Sequence, residues 1–216
     1  MYAGLLCLTG YLLGSIPTAY LVARWVKGID LRRYGSGTVS GSMIYEHTHR
    51  WLVMPVGLFD VAKGAFPAWL ALRLGFGEAV AAAAGLAAVI GHNWPIYLGF
   101  TGGRGLSTIL GLLLVLFPWG DLWLLAFLGV GFALGDSAPW ALASLLGLPI
   151  LIWRFDGSPT LYWMTGAMVL ITLVKRLEAN RRPLPVSKKE RWLVIWRRLI
   201  FDRDIQDHQA WIRRRL

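Results

Sequence analysis

A histidine, several glycines and one arginine interrupt an otherwise apolar chain between residues 91 and 105. The segment reads Gly-His-Asn-Trp-Pro-Ile-Tyr-Leu-Gly-Phe-Thr-Gly-Gly-Arg-Gly. Backbone N–H groups of neighbouring glycines can converge on an anion because no Cβ blocks the approach. The guanidinium of Arg104 adds a permanent charge with the forked geometry that suits phosphate. The segment therefore predicts a phosphate site inside a membrane protein.

A second loop of small residues precedes this one, with the sequence Gly-Ser-Gly-Thr-Val-Ser-Gly-Ser over residues 35–42. Small residues let the backbone turn tightly, and the hydroxyls can donate hydrogen bonds to a phosphate or a polyol. Glycine and serine also form ordinary turns, so from this loop alone a ligand-binding role and a purely structural turn both stay open. We predict that the two loops form one composite site.

The elements that must position these loops are apolar helices. Of all residues 56% are apolar and 16% are charged, which is unusual for a soluble domain. A full membrane span needs about 20 residues, so the fourth and fifth of seven apolar blocks are expected to be tilted, broken or re-entrant. The prediction is an all-α polytopic membrane protein of about seven transmembrane helices, with these blocks: 2–26, 52–72, 79–98, 106–117, 122–134, 139–153 and 160–174.

The distribution of basic residues predicts the orientation of the chain. No basic segment or cleavage site marks the first block as a removed signal peptide, so it is expected to stay as a helix. Thirteen of the 22 Lys and Arg residues follow Val174. By the positive-inside rule the N-terminus lies outside and the C-terminus in the cytosol, which places both glycine-rich loops on the cytosolic side of the plasma membrane.

The basic tail is predicted to form a second unit, residues 183–216, after a membrane domain of residues 1–182. From residue 188 onward, apolar side chains recur at helical spacing among basic ones, which indicates an amphipathic helix on the cytosolic face. The net charge of +10 lies mainly beside the membrane, so anionic lipid headgroups are the expected partner and nucleic acid is not. A solvated tail or an oligomer contact is the alternative, and the oligomeric state stays open.

For several other polar residues, a structural role is weighed against a functional one. Asp60 and Lys63, three apart in an apolar helix, can pair on one face, and a structural ion pair is favoured over catalysis. His92 could contact phosphate or serve as a structural group at a helix end. Cys7 is the only cysteine, which excludes disulfides within the chain and Cys-based zinc sites. Neither a metal nor a cofactor is predicted.

Taken together, the motifs resemble those of the bacterial PlsY-type integral-membrane acyltransferases, which transfer an acyl group from acyl phosphate to glycerol 3-phosphate. The resemblance covers residues 10 to about 182. Matching motifs follow in order: Tyr-Leu-Leu-Gly-Ser-Ile at 11–16, Gly-Ser-Gly at 35–37, Asp-x-x-Lys-Gly at 60–64, Gly-His-x-x-Pro at 91–95 and Phe-x-Gly-Gly-Arg-Gly-x-x-Thr at 100–108.

Several positions depart from the family pattern. Thr38 stands where the pattern has asparagine, and Glu46 stands where it has arginine, which reverses a charge. Arg104 replaces lysine. Ala141 falls where a serine is expected, and Glu178 falls where an asparagine is expected. The sequence therefore resembles a divergent member whose acyl-phosphate half is better preserved than its acceptor half.

The resemblance implies synthesis of lysophosphatidic acid for phospholipids by direct transfer, because an acyl phosphate has a good leaving group and needs positioning more than a protein nucleophile. It implies Ser36 and Arg104 as catalytic residues. The remaining implied phosphate contacts are Gly35, Gly37, Thr38, His92, Gly102, Gly103, Gly105 and Thr108. The implied acceptor site comprises Ser42, Glu46, Arg50, Glu178 and Asn180.

Two rivals from other classes stay open. A non-catalytic or altered-acceptor relative could bind phosphorylated lipid precursors, given the departures at Glu46, Ala141 and Glu178. An anion transporter or flippase would use intramembrane charges and broken helices, although no internal repeat is evident.

Overall fold

The structure is a computed structural model that describes residues 1–35, 37–207 and 210–211. These residues form ten α-helices and no β-strand. The helices are α1 (Tyr2–Gly14), α2 (Thr18–Lys27), α3 (Gly41–His47), α4 (Val53–Arg73), α5 (Glu78–Asn93), α6 (Leu106–Leu116), α7 (Pro118–Ala133), α8 (Ser137–Arg154), α9 (Pro159–Glu178) and α10 (Lys188–Phe201).

Every predicted apolar block lies on helical structure, and the predicted all-α class is confirmed. The first block is divided between α1 and α2, because Pro17 between them lacks the N–H that would continue the helix. Within the described residues, three segments are long and apolar enough to cross a bilayer: Tyr2–Lys27, Glu78–Leu98 and Ser137–Arg154. The count of seven spans therefore stays a prediction.

Small residues allow the central helices to pack closely. A Cβ on Gly14 of α1 would collide with the backbone of Ala88 in α5, and one on Gly64 of α4 would collide with the backbone of Thr108 in α6. Such close approach is how membrane helices gain van der Waals contact. Outside this core, large apolar side chains such as those of Met54, Phe132 and Ile150 are exposed, as expected of a lipid-facing surface.

A second apolar cluster holds the first glycine-rich loop against the bundle. It joins residues of α2 and α3 to Val39, to Val56 at the start of α4 and to Leu98. Leu98 belongs to the turn that precedes the second glycine-rich loop. Buried apolar contact therefore brings the surroundings of the two loops together.

The basic tail forms α10, which packs against α8 and α9. The predicted helix is present and ends at Phe201, where Asp202 adopts a left-handed conformation. Its position on the cytosolic face of the membrane stays a prediction. Arg198, one of the basic residues of this helix, is only 2% exposed, so its side chain points into the protein. The division of the chain at residue 182 stays a prediction.

Candidate phosphate site at the glycine-rich loops

Direct hydrogen bonds join the two glycine-rich loops. The Val39 N–H donates to the Gly102 carbonyl at 3.2 Å. The amide nitrogen of Asn180 donates to the Gly37 carbonyl at 2.9 Å and to the Gly102 carbonyl at 3.4 Å. Arg182 donates to the Gly35 carbonyl at 2.5 Å. The structure therefore brings together both predicted loops and adds Arg182, a contact that the sequence reasoning missed.

The three glycines of residues 102–105 lie where an added side-chain carbon would collide with neighbouring atoms. A Cβ on Gly102 would collide with the His92 carbonyl, and one on Gly103 would collide with the His92 imidazole and lie 2.6 Å from the Val39 carbonyl oxygen. Gly105 has φ +76°, a conformation that favours glycine, and α6 begins at the next residue. Sterics thus explain the glycines at these positions.

Among the described residues, only some backbone N–H groups of this loop have a hydrogen-bond acceptor. Gly103 donates to the His92 carbonyl at 3.1 Å, so its N–H closes the loop and does not stay available for the predicted phosphate contact. The N–H groups of Gly102, Arg104 and Gly105 make no hydrogen bond to any described residue. They lie within the four residues that precede α6, and the start of a helix favours a negative charge.

A buried ion pair lies beneath the loop. The Lys63 Nζ is 2.8 Å from the Asp60 Oδ1, and both side chains are buried. Lys63 also donates to the Ile16 carbonyl at 3.1 Å, at the break between α1 and α2. The predicted pairing of Asp60 with Lys63 is therefore present.

Close to this pair, the His92 Nδ1 lies 3.8 Å from the Asp60 Oδ1. A cavity of about 10 Å³ is bordered by Asp60, Lys63, His92 and Gly102, which is room for about one water molecule. His92 is thus inside the cluster below the loop, and its Nδ1 has no hydrogen-bond partner among the described residues.

Asn93 is a polar residue of this region that the sequence reasoning did not single out. Its side chain is fully buried, and both of its amide atoms lack hydrogen-bond partners among the described residues, as does the Thr108 hydroxyl. The Asn93 Oδ1 lies 2.6 Å from where a Cβ on Gly105 would be. The available signal was a second polar residue adjoining His92 in an apolar helix. Thr108, one of the implied contacts, lies in the first turn of α6.

Arg104 is held by groups that the sequence did not connect to it. Its Nε donates to the Asp202 carboxylate at 2.7 Å, and its Nη1 donates to the Lys175 carbonyl at 3.0 Å. Asp202 is 98 residues away in sequence, and no local pattern indicates the contact. Arg104 therefore lies at the junction of the loop, the end of α9 and the tail.

The implied acceptor residues do not form one cluster of side chains. Glu178 accepts from the Trp94 indole at 3.1 Å and from Lys175 at 3.0 Å, whereas Asn180 bridges the two loops. By contrast, Ser42, Glu46 and Arg50 are exposed. Thr38 is buried, and its hydroxyl lies 3.3 Å from that of Ser40.

Two further predictions for the first loop have different outcomes. Ser36, the second implied catalytic residue, lies outside the described residues. Arg50, one of the implied acceptor residues, stacks over the Tyr45 ring with its guanidinium 4.9 Å from the ring centre. The structure therefore shows an aromatic partner for Arg50 rather than a contact with the glycine loops.

Comparison with known proteins agrees with this arrangement. The sequence profile of the glycerol-3-phosphate acyltransferase family matches residues 4–184. Glycerol-3-phosphate acyltransferase 5 of Dehalococcoides mccartyi is 38% identical over 97% of this chain and 92% of its own length. A glycerol-3-phosphate acyltransferase of a Synechococcus species is 38% identical over 83% of this chain and 93% of its own length.

Solved structures show the same fold. The crystal structure of PlsY (YgiH), an integral membrane glycerol 3-phosphate acyltransferase in its glycerol 3-phosphate form, superposes with a TM-score of 0.75 at 27% identity, covering 84% of this chain and 92% of that one. Its lysophosphatidic acid form superposes with a TM-score of 0.72 at 25% identity, covering 84% and 91%. The chain therefore belongs to the glycerol-3-phosphate acyltransferase family of integral membrane proteins.

Proposed function

We propose that this protein transfers a fatty acyl group from acyl phosphate to glycerol 3-phosphate, giving lysophosphatidic acid for phospholipid synthesis. Membership of the family supports acylation of glycerol 3-phosphate. The two PlsY structures, one in a glycerol 3-phosphate form and one in a lysophosphatidic acid form, support the same acceptor and product. The donor follows from the resemblance of the loop motifs.

One observation carries the proposal. Three backbone N–H groups, those of Gly102, Arg104 and Gly105, make no hydrogen bond to described residues where the two loops meet at the start of α6. N–H groups without an acceptor near a helix start favour an anion with several oxygen acceptors. The phosphate of the donor has that chemistry.

The proposed reaction needs no protein nucleophile. The acceptor hydroxyl oxygen forms a bond to the acyl carbonyl carbon, and the bond from that carbon to the phosphate oxygen breaks. The leaving phosphate keeps the electron pair, and the proton of the hydroxyl goes to a phosphate oxygen of the acceptor. The loop N–H groups and Arg104 stabilise the charge on the leaving phosphate, which is positioning and electrostatic catalysis.

The proposed site faces the cytosol of the plasma membrane. The concentration of basic residues in the tail supports this orientation. Contacts support the assignment of these segments to one common side: Gly37 and Gly102 share Asn180, and Asp136 pairs with Arg203 at 2.7 Å. On α10, Trp192, Leu193 and Trp196 are exposed. These side chains suit the interface of a bilayer with anionic headgroups, which would make the tail a peripheral anchor beside the membrane domain.

The full-length protein in lipid nanodiscs tests the proposal when it receives palmitoyl phosphate and glycerol 3-phosphate. Mass spectrometry should detect palmitoyl lysophosphatidic acid. Arg104→Ala should reduce turnover by about 100-fold, the size expected for removing one charge-stabilising donor. Absence of product from wild-type protein that still binds palmitoyl phosphate would reject glycerol 3-phosphate as the acceptor.

A further inference from the structure

We propose that Asp202 is a positioning residue for Arg104, and that the tail therefore completes the phosphate site. Asp202 lies beyond residues 4–184, the part of the chain that the family profile matches. The inference rests on the proposed function, because it assumes that Arg104 binds the substrate phosphate.

The contacts of Arg104 leave part of its guanidinium available. Arginine has five N–H donors in one plane. Asp202 accepts from Nε and the Lys175 carbonyl accepts from Nη1, whereas Nη2 donates to no described residue. If Asp202 occupied the place of the phosphate, its two oxygens would be expected to accept two parallel N–H bonds from the guanidinium, as carboxylates and phosphates often do. Asp202 instead fixes the plane of the group from the Nε side.

Reciprocal arginine contacts place the tail independently of Arg104. Arg176 in α9 donates to the Leu199 and Ile200 carbonyls of α10 at 2.6 and 3.1 Å. Arg198 in α10 donates to the Leu177 carbonyl of α9 at 3.0 Å. The last carbonyls of a helix lack partners within the helix, so each arginine supplies donors to the end of the other helix. Since both arginines are buried, the two helix ends hold each other in one arrangement.

The residues after α10 are anchored one by one. Arg203 pairs with Asp136 at 2.7 Å, and Asp204 pairs with Arg198 at 2.6 Å. Asp202 itself has φ +55°, and its N–H donates to the Arg198 carbonyl. Asp and Asn tolerate this left-handed conformation better than most residues. The carboxylate of Asp202 therefore arrives beside Arg104 because its neighbours are fixed elsewhere.

The variant Asp202→Asn tests the inference, since asparagine keeps the size and suits the left-handed backbone. We expect the KM for palmitoyl phosphate to rise about tenfold, with a smaller change in kcat, because one charge-assisted contact that orients Arg104 is weakened. In an Arg104→Ala background the same substitution should have no further effect. The matched control is Glu190→Gln, which removes an exposed carboxylate from the first turn of α10 and should stay within twofold of wild type.

Two results would overturn the inference. If Asp202→Asn lowered activity equally in the Arg104→Ala background, the role of Asp202 would be structural support of the tail. If Asp202→Asn increased activity, Asp202 would compete with phosphate for Arg104. Should the asparagine variant fail to fold, Asp202→Gly provides the same test, because glycine also adopts a positive φ.

Direct binding of palmitoyl phosphate, measured without acceptor, separates this inference from the proposed function. Weaker binding by Asp202→Asn, dependent on Arg104, supports positioning even if wild type transfers nothing to glycerol 3-phosphate. Equal binding and equal KM for wild type and Asp202→Asn reject positioning, while transfer by both proteins would leave the proposed function in place.

Discussion

The loop at residues 91–108 and the segment at residues 40–50 carry the two implied halves of the site, and they differ in how they are held. In the first, glycines pack against buried backbone, and His92, Asn93 and Thr108 are buried. In the second, Ser42, Glu46 and Arg50 are exposed. The first half has one geometry that packing enforces, whereas the second presents solvated side chains.

Because of this difference in burial, a departure from the family pattern should affect the site less in the second segment than in the first. Glu46 reverses a charge, but an exposed carboxylate is screened by water and salt. A change of charge below the glycine loop would act among closely packed neighbours and away from bulk water, where charges are screened less. The following variants, in decreasing order of expected effect, test that contrast.

Asp60→Asn should give the largest loss of stability. It leaves the buried Lys63 ammonium without its carboxylate partner, and breaking a buried pair costs about 3–5 kcal/mol. The free energy of unfolding, measured by denaturant titration in detergent micelles, should fall by that amount. Asp121→Asn is the control, since Asp121 forms no ion pair with described residues. A loss below about 1 kcal/mol for Asp60→Asn would show that Lys63 finds another partner.

Gly103→Ala should overpack the loop. The new Cβ would meet the His92 imidazole and the Val39 carbonyl, which typically destabilises by about 1–3 kcal/mol. Turnover should drop about 100-fold, because displacement of the loop moves the phosphate contacts. Gly166→Ala in α9, where nothing lies within 4 Å of the added methyl, should be almost neutral. Comparable activity of the two variants would contradict a sterically enforced site.

Asn180→Gly should separate the two loops without straining the backbone. Asn180 has φ +53°, which glycine accepts, and the substitution removes the amide that donates to Gly37 and Gly102. Loss of these bonds is expected to cost about 1.5 kcal/mol and to reduce turnover roughly tenfold. Steady-state kinetics with both substrates measures the effect. Unchanged kinetics would mean that the Val39 N–H alone holds the loops together.

Glu46→Arg should have the smallest effect. An exposed charge contributes about 0.5 kcal/mol or less, so the KM for glycerol 3-phosphate should change by less than about threefold, and the difference should shrink as salt concentration rises. A gain of more than tenfold would place residue 46 in direct contact with the acceptor and would remove the contrast between the two segments.

Much of the fold and part of the site could be predicted from local sequence. The apolar blocks coincide with helices because, in a bilayer, the backbone N–H and C=O groups of an apolar stretch must hydrogen-bond to each other, as they do in a helix. The pairing of Asp60 with Lys63 follows from their spacing on one helix face. The steric need for Gly102, Gly103 and Gly105 agrees with their grouping before a helix start.

Other features lay beyond local patterns. Asn93 adjoins His92 in an apolar helix, but a single amide has no distinctive spacing that indicates its role. The exposure of Glu46 could not be predicted from the sequence, because a charged residue in a short polar segment can lie in a pocket or on the surface.

The sequence by itself determined an all-helical, apolar chain with a backbone able to turn tightly at two glycine-rich loops, since helix periodicity, apolarity and the absence of a Cβ are local properties. Only the tertiary structure decided that Asn180 joins these loops and that Asp202 holds Arg104. Those contacts link residues far apart in the chain, and their existence depends on how α9 and α10 pack. Packing of helix ends is a collective outcome of buried contacts, so no single motif encodes it.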